Sequence, residues 1–318
     1  MISFLVKRAL WLLVTLWIVF TVTFFLMRFV PGGPFDQERK LEPEVKRNLE
    51  KRYQLDQPLH MQYLYNLART AGFYMDSDGR PRWGLPDLGP STTLRDFSVN
   101  EVLAQGFPIS ASLGILALIY ASLLGLATGV ISALRRQTWV DVSLMSVATL
   151  GIAVPNFLLA GVCLVLFVFT FPIFPVAGWG SFQQILLPAF CLGSPYAAYI
   201  ARLTRTGMLD VINQDYIRTA RAKGLTPGRV IIHHALKGAV LPVVSFLGPA
   251  TAGILTGSLV LERIFFLPGM GSHFIEAALQ RDYSLAMGAV LVYTVILYSM
   301  NTLVDLSYSL LDPRVKLS

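Results

Sequence analysis

Charge is what this sequence has least of. Only 14% of its 318 residues are Asp, Glu, Lys or Arg, against about 25% in a typical soluble domain. Such a chain lacks the polar surface to cover itself in water, which argues for a membrane protein over a large soluble core. Cysteine is nearly absent too. Cys163 and Cys191 both lie inside apolar runs, so they offer no disulfide framework and read as small packing residues. Of the four histidines, His233 and His234 are adjacent and point about 100° apart on a helix. With no Cys or carboxylate spaced to complete the set, they form no metal site. His60 and His273 stand in separate segments and make no constellation.

Several catalytic signatures are missing as well. No G-x-x-x-x-G-K-[ST] occurs, so the chain has no P-loop for nucleotide phosphates. No G-x-S-x-G, no H-E-x-x-H and no paired intramembrane Asp occurs, which excludes the common intramembrane hydrolase chemistries. The net charge of +7 could suggest nucleic acid, but the basic residues form no groove-lining pattern, which argues against it.

What the sequence does have is long apolar runs. A spanning helix needs about 20 apolar residues, and six charge-free windows reach that length: Ala9 to Met27, Pro108 to Leu134, Val142 to Trp179, Phe182 to Ala201, Gly238 to Leu261 and Tyr283 to Val304. A central charge would cost about 2.5–3.5 kcal/mol on insertion, so each clean window carries weight. The third is too long for one pass, and its helix is expected to end near Phe171, before Pro172, Pro175 and Gly178. The first exceeds the apolar length of a secretory signal and lacks a small-x-small cleavage site, so it reads as a retained helix.

Lys and Arg set the orientation. With the N-terminus inside, the inner segments hold Lys7, Arg8, Arg135, Arg136, Arg202, Arg205, Arg218, Arg221, Lys223, Arg229, Lys237, Arg314 and Lys316. The short outer loops keep only Arg263 and Arg281, and the long outer segment from Pro31 to Phe107 is nearly balanced. Both termini are therefore expected inside.

That outer segment reads as folded. Pro43 opens one helix, with Val45, Leu49 and Tyr53 at a four-residue spacing, and Pro58 opens another, with Leu59, Tyr63 and Leu67 on one face. Asp78-Gly79 marks a turn. Ser98 and Glu101 fit a capping box, opening a short helix that leads to Pro108. The segment is either a lid that stabilises the bundle or a docking and gating surface.

The inner stretch "DYIRTARAKGLTPGRVIIHHALKGAVLP" has its own local code. Asp215 is expected to cap a helix running to Lys223, and Gly224 to end it in the left-handed conformation. Thr226 then caps a second helix with Pro227 at its first position. Charge alone fits a loop that only fixes topology; the helix–glycine–helix pattern fits a shaped surface for a cytosolic partner.

These residues, with "RFVPGGPFD", "SVNEVLAQGFP", "DYIRTARAKGL", "GSLVLERIFFLPGMG", "EAALQRDYSLA" and "LLDPRV", resemble the B-type permease subunits of bacterial oligopeptide and dipeptide ABC importers, within the wider peptide/nickel group. The likeness covers nearly the whole chain. It implies an all-α polytopic membrane protein, a type I ABC importer permease-like bundle of six transmembrane helices with an extracytoplasmic insertion after the first. The implied divisions are residues 1–30, the first helix; 31–107, the outer segment; 108–311, a five-helix core with its coupling loop at 202–238; and 312–318, a cytoplasmic tail.

The resemblance also implies that Arg218, Thr219, Ala220 and Gly224 occupy the importer coupling motif, which sits in a cleft of an ATPase subunit. The surrounding surface comprises Asp215, Tyr216, Arg221, Ala222, Lys223 and Leu225. This chain departs from the motif's general form, with Arg-Thr-Ala for Glu-Ala-Ala and His234-Ala235-Leu236-Lys237 for I-x-L-P, so pairings of the motif's Glu do not transfer. The implied assembly is half of an ATP-driven peptide importer in the bacterial inner membrane. Its partners are a second homologous permease, two cytoplasmic ATPases that bind ATP and Mg, and an external peptide-binding protein. This chain itself is expected to be no enzyme and to bind no cofactor or metal. Dipeptides or nickel chelates are the alternative cargoes.

Within the spans, Pro155 and Pro195 are expected to kink the third and fourth helices. Gly125 with Gly129, and Gly253 with Gly257, allow close helix approach, by ordinary packing or along a moving pathway. Gly248 and Pro249, just before Gly253, mark the fifth span as a candidate partner-interface helix. Asp305, near an inner helix end, fits capping or pairing better than proton relay. An autonomous ion-coupled carrier usually holds buried ionisable residues, and these windows are nearly free of charge.

Overall fold

A computed structural model of the chain describes residues 2–29, 43–75, 80–94, 96–175, 178–255 and 259–311. Fourteen α-helices and a short hairpin follow in order among them: α1 (Ile2–Phe29), α2 (Pro43–Arg52), α3 (Leu59–Thr70), β1 (Phe73–Met75), β2 (Pro81–Trp83), α4 (Val99–Leu134), α5 (Trp139–Ala153), α6 (Asn156–Leu164), α7 (Phe182–Ile212), α8 (Asp215–Ala222), α9 (Pro227–Arg229), α10 (Leu236–Ala239), α11 (Leu241–Leu255), α12 (Leu259–Ile264), α13 (Met270–Gln280) and α14 (Tyr283–Leu311). Two π-helical turns, Val165–Thr170 and Val230–Ala235, extend α6 and bridge α9 to α10. Five helical stretches are long and apolar enough to cross a membrane. A sixth is obtained if α5 and Asn156–Thr170, bent by 105°, count as one span. The six-window reading thus meets a broken third span where it expected one kinked helix. The reason is local: Pro155 drives the preceding residue out of the α region, and Val154 is extended at ψ 123°. Pro195 behaves differently. The helix α7 continues through it without a break, and Ser194 Oγ donates to the Phe190 carbonyl at 2.6 Å on the same turn.

The chain divides into two compact units, Met1–Pro108 with Gly269–Val295, and Ile109–Pro268 with Ile296–Ser318. In the first, α1 meets the outer segment through aromatic rings. Phe20 and Phe24 are buried with Met287 and Leu291, and Tyr63 and Leu67 of α3 pack on them. Tyr63 lies 5.6 Å from the Phe20 ring and 5.4 Å from Phe24, and its hydroxyl shares a hydrogen bond with Thr21 at 2.8 Å. Leu59 and Val45, expected on the same inner faces, are exposed. Arg28 lies 3.9 Å from the Phe24 ring centroid and donates twice to Gln62 Oε1, at 3.0 and 2.7 Å. Its charge is thereby held against the outer segment. β1 and β2 pair antiparallel, Phe73 opposite Trp83; the expected Asp78-Gly79 turn lies outside the described residues. The Ser98–Glu101 capping box forms, with Ser98 N–H on Glu101 Oε2 at 2.9 Å and Glu101 N–H on Ser98 Oγ at 3.2 Å. The helix it opens is not short. It continues through Pro108 to Leu134.

The second unit is a small-residue bundle. Cys163 and Cys191 are free and buried, within a core that includes Leu113, Ala117, Ile254 and Leu267. Gly125 and Gly129 let α4 touch α7 backbone to backbone: a Cβ at Gly125 would lie 2.7 Å from the Ala197 carbonyl oxygen, and one at Gly129 would lie 2.6 Å from that of Ala201. The π turn after α6 ends at Thr170, where the sequence placed the helix end, and the Gly178 N–H then donates to the Phe265 carbonyl at 3.0 Å.

Candidate functional site, the helix–glycine–helix loop

The inner loop begins two residues after α7 ends. Gln214, extended at φ −72° and ψ 151°, is the N-cap of α8, and its carbonyl accepts from Ile217 at 3.1 Å and Arg218 at 3.3 Å. This corrects the expectation that Asp215 caps: the helix starts one residue earlier. Asp215 occupies its first position, where a carboxylate favours the helix dipole. Its Oδ1 lies 3.4 Å from Arg218 Nη1 on the solvent side.

The spacing of α8 decides what it shows. Ile217 and Ala220 are buried with Met208 of α7, Ala133 of α4, and Val230, Ala235 and Ala239, while Leu225 packs on the same cluster. Asp215, Tyr216, Arg218, Thr219, Arg221, Ala222, Lys223 and Gly224 are exposed. So the helix is nailed down along one stripe and presents a basic, small-residue face.

Gly224 ends it as the sequence implied, at φ +74°. Its N–H donates to the Arg221 carbonyl at 2.9 Å, and Leu225 N–H reaches Ala220 at 3.4 Å. With Lys223 as C-cap, this is a Schellman closure, and Leu225 supplies the accompanying apolar contact. A Cβ at Gly224 would meet nothing within 4 Å, so the requirement for glycine is conformational and not steric. Thr226 and Pro227 open the second helix as expected, Pro227 at the first turn. The Val230–Ala235 turn leaves His233 exposed and His234 half-buried. No cluster of metal-ligating groups exists among the described residues.

The remaining sequence candidates are dispersed. Pro155 breaks the α5–α6 pair. Gly248 lies against Val304 of α14, and Pro249 is inside α11. Gly253 is exposed on α11, and a Cβ there would lie 3.4 Å from the Tyr196 hydroxyl. Gly257 lies outside the described residues. Asp305 is half-buried on α14.

Three buried acids escaped the sequence reading. Asp141 of α5 accepts a bidentate pair from Arg205 of α7, Nε on Oδ1 at 2.7 Å and Nη2 on Oδ2 at 2.8 Å. It also accepts from Ser132 Oγ and from the Gln137 N–H at 2.9 Å. Arg205, read from sequence as one more inner positive charge, is committed to this pair. Glu262 of α12 is buried and accepts from Ser110 Oγ at 2.8 Å. Asp282 is buried at the start of α14, and its place before an apolar helical run was a legible N-cap signal.

Comparison with known proteins agrees with this architecture. Residues 1–114 match the family described as binding-protein-dependent transport system membrane component, N-terminal, and residues 125–317 match the binding-protein-dependent transport system inner membrane component. The chain is 45% identical over 317 residues to the dipeptide transport system permease protein DppB of Bacillus subtilis, covering 100% of this chain and 99% of that protein. It is 41% identical over 318 residues to the oligopeptide transport system permease protein OppB of Escherichia coli, covering 99% and 100%. Among solved structures, a crystal form of the MetNI methionine ABC transporter in inward-facing conformations aligns with TM-score 0.56 at 17% identity, over 67% of this chain and 97% of that one. This likeness carries the fold of an ABC transporter permease. Five apolar spans, or six with the bent pair, together with the family matches over residues 1–114 and 125–317, have one reading: the chain belongs to the family of binding-protein-dependent transport system inner membrane components, as a multi-pass permease subunit.

Proposed function

We propose that this chain forms half of the translocation pathway of an ATP-driven peptide importer, with di- or oligopeptides as cargo, and that the exposed face of α8 is where a separate ATPase pushes. The observation that carries this reading is the construction of the loop. A helix fixed on one side by Ile217 and Ala220 and closed at Gly224 offers Arg218, Arg221 and Lys223 to a partner. The full-length relatives named for dipeptide and oligopeptide transport support the cargo class. ATP and Mg belong to the two cytoplasmic ATPases, since this sequence carries no P-loop. A second homologous permease completes the pathway and an external binding protein delivers the peptide. Both termini face the cytoplasm of a bacterial inner membrane. ATP can drive the cycle only by binding better to one conformation than the other, and α8 is the element through which that difference reaches the spans.

The test is reconstitution. The chain, co-produced with the products of its neighbouring genes and placed in liposomes, is expected to take up a labelled peptide only with ATP and the binding protein. An Ala222→Cys variant is expected to cross-link to the ATPase. Uptake by the chain alone, or no cross-link in an active complex, would overturn the proposal.

A further inference from the structure

The Asp141–Arg205 pair does more than fill a buried site. We propose that it is a positioning device that carries movement of α8 through α7 into α5, an inference that rests on the proposed function of α8. Three observations lead to it. First, α8 and α7 form one mechanical piece: Met208 shares the Ile217–Ala220 cluster, and Gly207 of α7 lies so close to Ala239 that a Cβ would sit 2.5 Å from its carbonyl oxygen. The rod from Phe182 to Ile212 has no break, so displacement of α8 displaces α7 along its length.

Second, the apolar contact between α5 and α7 is extensive but leaves a gap along part of its length. A cavity of about 410 Å³ opens between them, lined by Leu144, Val147 and Gly151 of α5 and by Ala197, Ala198 and Ala201 of α7. Small side chains facing a void transmit little sideways force, because dispersion attraction is lost across a gap. Along that gap, packing ties α5 to α7 less firmly than it does over the rest of the pair.

Third, a polar tie joins the two helices beyond that gap, at their inner end. Asp141 is buried at 3% exposure and accepts from Arg205 Nε and Nη2, from Ser132 of α4 and from the Gln137 N–H in the α4–α5 turn. A bidentate pair on a buried carboxylate does not slide; it is made or broken as a unit, and leaving the Asp141 charge without its partner is costly. The inner ends of α4, α5 and α7 therefore move together. The displacement then enters α6 through the 105° bend at Pro155.

The experiment measures peptide uptake per ATP hydrolysed in the assembled, reconstituted complex, for Asp141→Asn, Arg205→Lys and the reciprocal exchange D141R/R205D. Asp141→Asn is expected to lower that ratio by about fivefold or more, a typical coupling range, while ATP hydrolysis continues. Arg205→Lys keeps the charge without the fork, and its ratio is expected to fall between those of the Asp141→Asn and unaltered complexes. The exchange is expected to recover part of the ratio, since the pair is restored but the Ser132 and Gln137 donors no longer face a carboxylate. An unchanged ratio in assembled Asp141→Asn complexes overturns the proposal. So does a loss of complex yield in which the surviving fraction couples normally, for both Asp141→Asn and Arg205→Lys. The Ala222→Cys cross-link, measured in the same variants, separates the cases: its absence in the unaltered protein refutes the role of α8, whereas its presence with normal coupling in the variants refutes only the role of the pair.

Discussion

Asp282 and Ser91 stand 191 residues apart and share a buried hydrogen bond. The same carboxylate oxygen accepts from the N–H groups of Thr92 at 2.9 Å and Thr93 at 3.1 Å, while Oδ1 caps α14 through the Leu285 N–H at 3.0 Å. One side chain thus caps α14 and fixes the Ser91–Thr93 loop. Replacing Asp282 by Ala removes a cap and strands several buried donors, with an expected cost of about 2–4 kcal/mol. Ser91→Ala is expected to cost about 1 kcal/mol. Because both act on one network, the double variant should lose less than the sum. Thermal denaturation in detergent reads all three, and a harmless Asp282→Ala would show that the network contributes nothing.

Gly224 gives a prediction about coupling. Its positive φ costs a β-branched residue about 1–3 kcal/mol, and a Cβ there would meet nothing within 4 Å. Gly224→Val is therefore expected to loosen the end of α8 and reduce uptake per ATP without preventing assembly. Gly224→Asn, which tolerates the left-handed region, should retain most of it. Equal behaviour of Val and Asn would show that the closure of α8 is not what matters.

Tyr63 anchors the outer segment to α1. It touches three phenylalanine rings, Phe20, Phe24 and Phe25, and its hydroxyl meets Thr21. Tyr63→Ala is expected to cost about 3 kcal/mol and to make α2 and α3 accessible to protease added outside. Tyr63→Phe should cost about 1 kcal/mol and leave the segment resistant. Protease resistance of both variants would place the anchor elsewhere.

His273 predicts a pH dependence. Burial lowers its imidazole pKa from 6.5, with Glu276 opposing, and its Nδ1 is buried without a hydrogen-bond partner. The fold therefore holds the neutral form, while the unfolded chain takes up a proton first. The stability tied to this residue is present above about pH 6.5 and is lost as pH falls toward the lower folded value. Replacing His273 by Phe should flatten the decline in melting temperature between about pH 7 and about pH 5. An identical decline in the variant would assign the pH dependence to other groups.

Local chemistry was largely legible in advance. Pro43, Pro58 and the Ser98–Glu101 box marked real helix starts because each is satisfied within a few residues. The Gly224 closure and the Thr226-Pro227 start were readable for the same reason, since left-handed backbone and a missing N–H are properties of single residues. Errors came where neighbours decide. Leu59 and Val45, on faces shared with partly buried residues, are exposed, and which residues of a helical face are covered depends on neighbours. Pro155 and Pro195 look alike in sequence, but only Pro155 is preceded by an extended residue and breaks its helix.

The order of apolar windows, their lengths and the basic inner loop were set by the chain alone, since transfer into lipid is a sum over consecutive side chains and needs no knowledge of contacts. Which charges are free was not. Arg205 looked like Arg202 beside it until Asp141 was brought against it from a separate helix, and Asp282 like any loop acid until Ser91 closed on it. A buried carboxylate is tolerable only when distant donors converge on it. That convergence is a fact of tertiary packing, which no local pattern encodes.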